Sequence, residues 1–550
     1  MIYYFNSKVI KKLTLINLHI LLLFSCLSCR NSEDGIYDYH SLYPISLLSQ
    51  NDTVIMKVGD VSIVDYTIPD YFNSESDTVD NNFLKMSLKS VGSPTTDKFS
   101  LLKVEKDSII SNLYHAYIKD LSKFSYYEEH CYLESLSGMK TKTITIQLPC
   151  DSLKRKLLDT GLTLMEIETT DSIWPTCEMV YPPEGMLGLS IKNASIVTGK
   201  ITLMKDSCIV YFSDDYKKDA SGMTIKLRGN SSVKLYDQKP YKIKLSKKAD
   251  LLCRNDEKYH DKNWIIKQFD GTRTMVGFKV NELVGLQWTP QYKYVNLLFN
   301  GDYRGVYILQ ESVRRNTECR LNVSKTGYIF ELDPYWWNED LFFESSLDLQ
   351  VNYTFKYPDS EDVTIDQLDY ISRTCQNMER SFIDGTYPNY IDVESFAEWC
   401  LGHDILGNID AAGSNLFLTK YDNTDDSKIM MAIMWDFDNI YASGDQWDYV
   451  HFHYFFDKLF NSPNKTFIRF YKDKWESLYP SLFLKMDDFL DDFSNSEECR
   501  SLDASMKYHN ERWPNKEWFV MPGLEKAKKY LDHRRNWLNE NISIIEIENE

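Results

Sequence analysis

The sequence predicts an α+β fold of more than one domain. Strand-like runs dominate between residues 186 and 311, whereas helical periodicity dominates beyond residue 331. Strands followed by helices are typical of α+β domains, in which the two kinds of element are segregated. The chain has 550 residues and 43% of them are hydrophobic, so we expect at least two hydrophobic cores.

The charge balance and the cysteines argue against two classes of site. The chain carries 81 acidic and 62 basic side chains, a formal net charge of -19, and so repels nucleic-acid phosphates unless basic residues are concentrated locally. Beyond residue 29 no CxxC pair occurs, which argues against a zinc ribbon or a dithiol redox motif. We therefore expect no nucleic-acid partner.

The N-terminus has the features of a secretory leader. A basic flank that ends at Lys12 precedes an apolar run over residues 13–28, and the run ends at Cys29. This run is shorter than the roughly twenty residues that a membrane-spanning helix needs. We expect residues 1–29 to be a lipoprotein signal peptide with Cys29 lipidated, and Cys26 is the alternative lipidation site. A cleaved leader without lipid is the other interpretation.

The stretch after Cys29 favours the lipoprotein interpretation. Residues 30–34 are polar and acidic, and they resemble the tether of surface lipoproteins in the Bacteroidetes group. This resemblance implies a cell-envelope protein, lipid-anchored at the outer membrane or the cell surface. No second apolar stretch approaches membrane length, so we expect the rest of the chain to lie outside the cytoplasm.

Residues 30–185 predict a small mixed α/β or β-rich accessory domain of unknown role. Runs rich in β-branched residues predict strands at residues 53–58 and 141–146. Between them, apolar residues at roughly helical spacing predict a helix over residues 108–121. Two prolines and a glycine within residues 181–185 indicate a linker, so a second domain is expected over residues 186–545.

The second domain is expected to contain an antiparallel sheet followed by helices. Alternation in residues 239–245 places Lys242 and Lys244 on one strand face, opposite the apolar residues. Asn300-Gly301 predicts a hairpin turn. The other expected strands are residues 186–191, 198–204, 207–212, 223–228, 294–299 and 303–309, and the expected helices are residues 275–284, 364–380, 393–406 and 523–537.

Four polar residues suggest phosphoryl-transfer chemistry. Asp410 is followed after four residues by Asn415, then by a strand, and then by Asp436 and Asp438. Kinase-type enzymes use this order, because one carboxylate accepts the proton of the acceptor hydroxyl while an amide oxygen and a further carboxylate hold magnesium. Taken singly, such residues commonly form turns and caps, so the conjunction carries the argument.

Four sequence pieces together resemble the CotH family of atypical protein kinases, named for a spore-coat protein. The pieces are residues 228–232 with 239–245, Trp264, residues 300–311, and residues 408–415 with 435–438. They span about two thirds of the chain. The resemblance implies a bilobal protein-kinase-like fold that binds ATP and Mg²⁺ and phosphorylates a protein acceptor.

The resemblance also implies roles for individual residues. Asp410 corresponds to the catalytic base, Asn415 and Asp436 to metal ligands, and Asp438 to a supporting or second-metal carboxylate. The nucleotide phosphates are expected to contact Lys242 or Lys244, with Arg228 adding a bidentate contact. Glu311 is expected to orient that lysine or to line the nucleotide pocket, and Glu282 is the rival for this ion pair. A solvated strand face is the alternative for the two lysines.

The chain also departs from the family pattern. The family tends to place Arg-Asn at the start of the helix that follows an aspartate-containing turn. In this sequence, residues 270–276 read Asp-Gly-Thr-Arg-Thr-Met-Val. The contact made by the family's Arg-Asn pair is therefore absent or is supplied by Arg273.

Two other functions remain open from the sequence. A location outside the cytoplasm offers no obvious ATP supply, so a catalytically inactive kinase-fold surface lipoprotein that acts as a binding or structural module is the alternative function. A glycosidase is a third, because the chain is acidic and rich in aromatic residues, as many polymer-binding proteins are. A glycosidase needs two carboxylates about 5 to 9 Å apart, and Asp410 and Asp436 are the candidate pair. That function leaves Asn415 and the lysine strand without a role.

Overall fold

The computed structural model describes residues 45–47, 53–56, 61–68, 84–91, 99–121, 127–148, 152–186, 188–347, 350–442, 444–447 and 449–545. The chain divides into two compact units, and the second comprises residues 148–550 with two short earlier segments. The expected signal peptide, with Cys26 and Cys29, lies outside the described residues. No helix among those residues is long and apolar enough to cross a membrane.

The first unit contains two four-stranded sheets, with strand orders β1-β3-β6-β5 and β2-β8-β7-β4. The strand predicted at residues 53–58 is present as β2, and the one predicted at residues 141–146 begins later, as β8. The strands are β1 (Ser46–Leu47), β2 (Thr53–Ile55), β3 (Val61–Thr67), β4 (Ser87–Ser90), β5 (Phe99–Lys106), β6 (Leu113–Asp120), β7 (Tyr127–Glu134) and β8 (Ile144–Leu148).

The helix predicted over residues 108–121 is wrong, because most of this segment forms β6. Tyr114, Ala116 and Ile118 are fully buried, and the residues between them are partly exposed. Burial therefore repeats every two residues, as in a strand. β6 pairs with β3 on one side and with β5 on the other. The apolar spacing of this segment is compatible with the period of a helix and with that of a strand, and hydrogen bonding along both edges of β6 favours the strand.

The second unit begins with an eight-stranded sheet of order β13-β12-β14-β15-β16-β18-β17-β9. β9 also pairs with β12, so the sheet curls back on itself. The elements are α1 (Ser152–Leu158), β9 (Thr163–Thr169), β10 (Glu178–Val180), β11 (Ser190–Lys192), β12 (Val197–Lys205), β13 (Cys208–Phe212), β14 (Met223–Leu227), α2 (Ser231–Leu235), β15 (Tyr241–Ala249), β16 (Asp261–Gln268), α3 (Arg273–Val284), β17 (Tyr292–Phe299) and β18 (Asp302–Glu311).

The second unit starts earlier than the boundary expected at residue 185. β9 forms a parallel pair with β17 and an antiparallel pair with β12, so it belongs to the large sheet. β10 and β11 pair with each other across the segment that the sequence suggested as a linker. Backbone hydrogen bonds therefore tie β9 to the large sheet of the second unit, and the two prolines lie between β10 and β11.

The rest of the second unit combines a five-stranded sheet, of order β20-β21-β19-β22-β23, with seven α-helices in the described part of residues 328–545. The expected change from strands to helices is therefore observed, and the fold is α+β. The elements are β19 (Tyr328–Asp333), β20 (Phe342–Glu344), β21 (Asn352–Tyr357), α4 (Ile365–Asp384), α5 (Val393–Leu406), β22 (Leu416–Lys420), β23 (Ile429–Ile433), α6 (Tyr454–Phe460), α7 (Thr466–Leu478), α8 (Ser481–Asn495), α9 (Glu497–Arg512) and α10 (Val520–Ser543).

Local signals set the ends of the two longest predicted helices in the middle of this region. Thr364 and Gln367 form a capping box at the start of α4, and Gly385 ends that helix with φ of 81°. Asp392 accepts a hydrogen bond from the Ser395 amide at the start of α5, and Gly407 ends it with φ of 54°. Each cap is made of residues that lie close together in the chain, at the ends of its own helix. The sequence therefore locates both helices well.

α5 and α3 fix the hairpin of β22 and β23. Trp399 on α5 donates its indole N–H to the carbonyl of Ile433, at 3.0 Å. Asn281 on α3 accepts a hydrogen bond from the amide of Met434, at 2.8 Å. A Cβ atom at Gly277 would overlap the ring of Phe437, so α3 packs against the segment after β23 with no spare room. The chain that follows β23 is therefore held by two buried helices.

We expect Gly277→Ala to destabilise the protein by about 1–3 kcal/mol, because the added methyl group overpacks the contact with Phe437. Alanine has the better helix propensity, so propensity alone would give the opposite sign. Urea unfolding measures the change in the free energy of unfolding.

Gly523→Ala is the matched control, since the nearest atom to a Cβ there belongs to Thr272, at 3.7 Å. We expect this change on α10 to be neutral or slightly stabilising. Equal stabilities of the two variants would contradict the packing argument.

Candidate active site

Lys267 is the central side chain of the candidate site. It lies near the end of β16 and is 8% exposed. Its Nζ lies 2.8 Å from Asp438 Oδ1, 3.1 Å from Asp270 Oδ2 and 3.4 Å from Asp436 Oδ1. Burial by itself lowers the pKa of Lys267, but the three carboxylates outweigh it and raise that pKa well above its ordinary value. The three carboxylates therefore favour the charged ammonium form of Lys267.

Asp270 is held in place by the start of α3. Its Oδ2 accepts a hydrogen bond from the Thr274 hydroxyl at 2.6 Å, and its Oδ1 accepts one from the Thr274 amide at 3.3 Å. This is the segment in which the sequence departs from the family pattern. Arg273 is present there, with Nη1 3.3 Å from the Asp270 carbonyl oxygen and its guanidinium over the ring of Trp518. Arg273 therefore supplies positive charge beside the carboxylates.

Asp436 and Asp438 both face Lys267, while Phe437 between them is buried against Phe278. Burial raises the pKa of Asp436, and the charge of Asp438 raises it further. Burial would also raise the pKa of Asp438, but Lys267, Lys516 and Arg273 lower it overall. The two carboxylates therefore repel each other across one shared ammonium group.

Asp410 lies within electrostatic reach of this pair. Burial raises its pKa to about 6, and the charges of Asp436 and Asp438 add to the rise. Asn439 donates its amide to Asp410 Oδ2 at 3.3 Å. A carboxylate with such a pKa is largely ionised at neutral pH and is still basic enough to take up a proton.

Asn408 joins the two acidic loops. It is 1% exposed, and its Oδ1 accepts a hydrogen bond from the Asp410 amide at 3.1 Å. Its Nδ2 donates to the carbonyl of Asp436 at 3.0 Å. The sequence pattern included Asn408 without giving it a role, and these hydrogen bonds show that it holds the two acidic loops together.

Asn415 is brought to the same end of the hairpin as Asp436. Phe417 on β22 lies opposite Ile433 on β23, and Asn415 precedes β22 as Asp436 follows β23. Asn415 has φ of 64° and Asp436 has φ of 57°, a left-handed conformation that asparagine and aspartate tolerate better than other residues with a side chain. Such conformations cluster at functional sites because they aim side chains in unusual directions.

Arg228 faces the same carboxylates from the end of β14. It lines a small cavity together with Lys267, Thr274, Gln310 and Asp436. Burial lowers the pKa of Arg228, and the charges of Asp436, Glu331 and Asp438 act against that effect. The structure therefore brings Arg228, Asp410, Asn415, Asp436 and Asp438 to one region, and sequence reasoning had named all five.

Lys242 and Lys244 lie elsewhere on the sheet. They line a cavity of about 500 Å³ with Lys226, Arg314 and Lys356. Neither lysine forms an ion pair with a carboxylate of the site in the part of the chain that the structure describes. Lys267 makes those ion pairs instead.

Sequence reasoning missed Lys267, although it singled out Trp264 on the same strand. The sequence offered one signal for Lys267: a lysine directly follows the apolar run Trp264-Ile265-Ile266, in a strand that is otherwise suited to the hydrophobic core.

Among the described residues, the ion-pair partners of Glu311 are arginines and not lysines. It is fully buried, its Oε1 lies 2.9 Å from Arg254 Nη2, and Arg320 Nε lies at 4.0 Å. The backbone amide of Gln291 donates to its Oε2 at 3.0 Å. Glu282, the alternative, is largely exposed and pairs with Lys279 at 2.9 Å. Neither glutamate is an ion-pair partner of Lys267.

Cys400, Asp404 and His451 form a second buried cluster, with ligand-type atoms within 4.8 Å of one another. Asp404 Oδ2 already accepts hydrogen bonds from His451 at 2.8 Å and from the Tyr471 hydroxyl at 2.7 Å. The Arg534 guanidinium donates to the Asp404 carbonyl at 2.7 Å. This hydrogen-bond network ties α5 to α7 and α10, and it accounts for His451 without a metal.

A buried lysine, paired carboxylates and an aspartate–asparagine loop, placed at the ends of neighbouring strands, are typical of kinase-like proteins. A sequence model described as CotH kinase protein matches residues 225–538, more than half of the chain. The protein therefore belongs to the CotH kinase family, as its sequence motifs had predicted. No curated protein matches the chain. The matched segment contains every residue of the site described above.

We expect Asp410→Asn to stabilise the metal-free protein at pH values above about 6. The pKa of Asp410 is raised from 3.8 to about 6 in the folded state, so its ionised form costs stability. This free-energy cost is fully present at pH values above the folded-state pKa of about 6 and vanishes at pH values below the unfolded-state pKa of 3.8. Since the side chain is partly exposed, we expect a gain of only about 1–2 kcal/mol.

Urea unfolding in a chelating buffer at about pH 8 and about pH 4 measures this difference. Asp369→Asn, at an exposed position on α4, is the control and should change stability by less than about 0.5 kcal/mol at both pH values. A gain that is the same at both pH values would contradict the electrostatic explanation.

We expect Glu311→Gln to destabilise the protein by about 3 kcal/mol, because it leaves the charge of Arg320 buried with a weaker partner. Glu282→Gln is the exposed control, with an expected change under about 0.5 kcal/mol. Thermal unfolding with and without Mg-ATP separates a structural role from a binding role. A stable Glu311→Gln variant that no longer responds to nucleotide would assign Glu311 to the nucleotide site.

Proposed function

We propose that the protein is a phosphotransferase that moves the terminal phosphoryl group of Mg-ATP to a hydroxyl group of a protein at the cell envelope. The observation that carries this proposal is the contact of Asp436 and Asp438 with the charged Lys267. Asp410 lies within electrostatic reach of both carboxylates, and Arg228 lies beside them. The envelope location follows from the leader that the sequence predicts. The presence of a full set of acidic residues favours catalysis over a purely structural module.

The side chains of the site fit Mg²⁺. Asp436, Asp438 and Asn415 offer the hard oxygen atoms that this ion prefers. Burial together with mutual repulsion raises the pKa of both Asp410 and Asp436, which indicates an excess of negative charge that a divalent cation would relieve. When bound, Mg²⁺ neutralises charge on the phosphate oxygens and orients them.

The residues of the chain would divide the remaining work. Lys267 and Arg228 would pair with phosphate oxygens, and the guanidinium of Arg228 suits a bidentate contact. Asp410 would accept the proton of the acceptor hydroxyl at a carboxylate oxygen. At the same time the hydroxyl oxygen would form its bond to the terminal phosphorus, and the bond between that phosphorus and the departing ADP would break. The hydrogen bonds from Asn439 and through Asn408 hold Asp410 in position for that transfer.

A cavity next to the carboxylates suits the base of a nucleotide. Its volume is about 370 Å³, and Tyr236, Trp513 and Trp518 are among its aromatic lining residues. Gln268 also lines it and donates to Asp438 Oδ2 at 3.4 Å. Aromatic walls with a few polar groups bind planar rings well. We propose that the base occupies this cavity while the phosphates lie over Lys267.

We expect millimolar Mg-ATP to raise the thermal midpoint of the protein, because a ligand that binds only the folded state stabilises it. At a concentration of about one hundred times the dissociation constant, the gain is about 2.7 kcal/mol. The shift should require both magnesium and Asp436, and Asp436→Asn should abolish it. Asp369→Asn is the matched control and should keep the full shift.

Asp410→Asn separates binding from catalysis. We expect this variant to keep most of the Mg-ATP shift and to lose at least about 100-fold in transfer of the labelled terminal phosphate, either to protein or to water. No thermal shift of the unaltered protein at millimolar Mg-ATP would refute the proposed function.

A further inference from the structure

One face of the eight-stranded sheet carries positive side chains that the site above does not use. Lys226 on β14 lies directly opposite Lys242 on β15, and Lys244 lies two residues further along the same face. Like charges directly opposite each other destabilise a sheet. In a chain of net charge -19, such a concentration of lysines does not follow from composition. This strip therefore points to an anionic ligand.

The strip forms one wall of an open cavity of about 500 Å³. Lys242 is the most enclosed of the three lysines, and burial together with the neighbouring charges of Arg314 and Lys226 lowers its pKa to about 8. Arg314 and Lys356 also line the cavity, but they already pair with Asp359 at 3.1 Å and with Glu331 at 2.9 Å, respectively. The cavity is thus polar and cationic, unlike the aromatic cavity near Gln268.

Lys226, Lys242 and Lys244 have no ion pair with a carboxylate in the described part of the chain. Glu361 also lines the cavity, but it lies on the exposed turn Ser360–Asp362. Since Arg314 neutralises Asp359, the charge of the three lysines remains in excess.

The strip leads directly to the candidate catalytic site. The strand register places Lys226 opposite Lys242 and Lys242 opposite Ile265 of β16, and Lys267 lies two residues beyond Ile265 on that strand. On this face, Arg228 lies level with Lys267. Arg228 is two residues beyond Lys226, which is a distance of about 7 Å along the strand. The aromatic cavity lies past the other end of this row, where β16 ends. The carboxylates therefore lie between a cationic cavity and an aromatic one.

We propose that the cationic cavity binds acidic side chains of the acceptor protein, an inference that rests on the phosphotransferase function proposed above. An extended peptide advances about 3.3 Å per residue. Aspartate or glutamate two to four residues from the acceptor hydroxyl would therefore reach Lys226, Lys242 and Lys244 while the hydroxyl lies at Asp410. The cavity would select acceptors by this acidic flank and would hold the chain in register for transfer.

Fluorescence anisotropy on the full chain tests this with two labelled peptides. The first has a central serine with glutamates at two, three and four residues on either side, and the second has glutamines in their place. We expect the glutamate peptide to bind at least about tenfold more tightly than the glutamine peptide.

The double variant that combines Lys226→Gln and Lys242→Gln should lose this preference. We expect the dissociation constant of its complex with the glutamate peptide to rise by about tenfold or more. Lys217→Gln with Lys218→Gln removes the same charge from exposed positions outside the cavity and should leave binding unchanged. The more exposed single change Lys244→Gln, with a smaller expected loss, guards against misfolding of the double variant.

The thermal shift with Mg-ATP, measured on the same variants, identifies the occupant. Loss of peptide binding with a retained shift would support an acceptor site. Loss of both would show that the cavity holds nucleotide phosphates, which would overturn the proposal. Equal binding of the two peptides, or unchanged binding by Lys226→Gln with Lys242→Gln, would overturn it as well.

This pair of readouts also separates the two proposals. Failure of the unaltered protein to respond to Mg-ATP would overturn the phosphotransferase function and the acceptor role with it. The peptide titration needs no nucleotide and reads the anionic site by itself.

Discussion

The ion pairs of Lys267 join parts of the chain that are far apart in sequence, and the geometry of the candidate site depends on them. Lys267 and Asp436 are 169 residues apart, yet one ammonium group contacts Asp270, Asp436 and Asp438. Burying a charge costs several kcal/mol unless partners compensate it. β16 supplies the ammonium group, the segment before α3 supplies Asp270, and the segment after β23 supplies Asp436 and Asp438. Movement of any of these elements would therefore break an ion pair of a buried charge.

The elements around this ammonium group are held by packing contacts and by hydrogen bonds outside the site. Phe437 fills the space beside Gly277, and Asn281 fixes the backbone of Met434. α5 is almost wholly buried, and the hydrogen bonds of Asp404 tie it to its neighbours. Asn408 follows α5 closely and binds both acidic loops. A site supported by packed helices and strands keeps its side chains within the narrow tolerances that catalysis requires.

The local parts of the fold and site could be predicted because their signals are adjacent in sequence. The Asn300-Gly301 turn, the caps of α4 and α5, and the order Asp410, Asn415, Asp436, Asp438 each lie within a short window. The helix predicted over residues 108–121 is wrong because the apolar spacing there suits a helix and a strand alike, and pairing with β3 and β5 favours the strand. Lys242 and Lys244 were equivalent in sequence because they share one face of a strand.

The sequence by itself determined the α+β class, the CotH family and five of the residues that meet at the site. Only the tertiary structure decided that Lys267 makes the central ion pairs, that Glu311 pairs with Arg254, and that β9 joins the large sheet. The physical reason is the same in each case. Ion pairs and strand pairing depend on distances in space between residues far apart in the chain, whereas periodicity and turn chemistry are local.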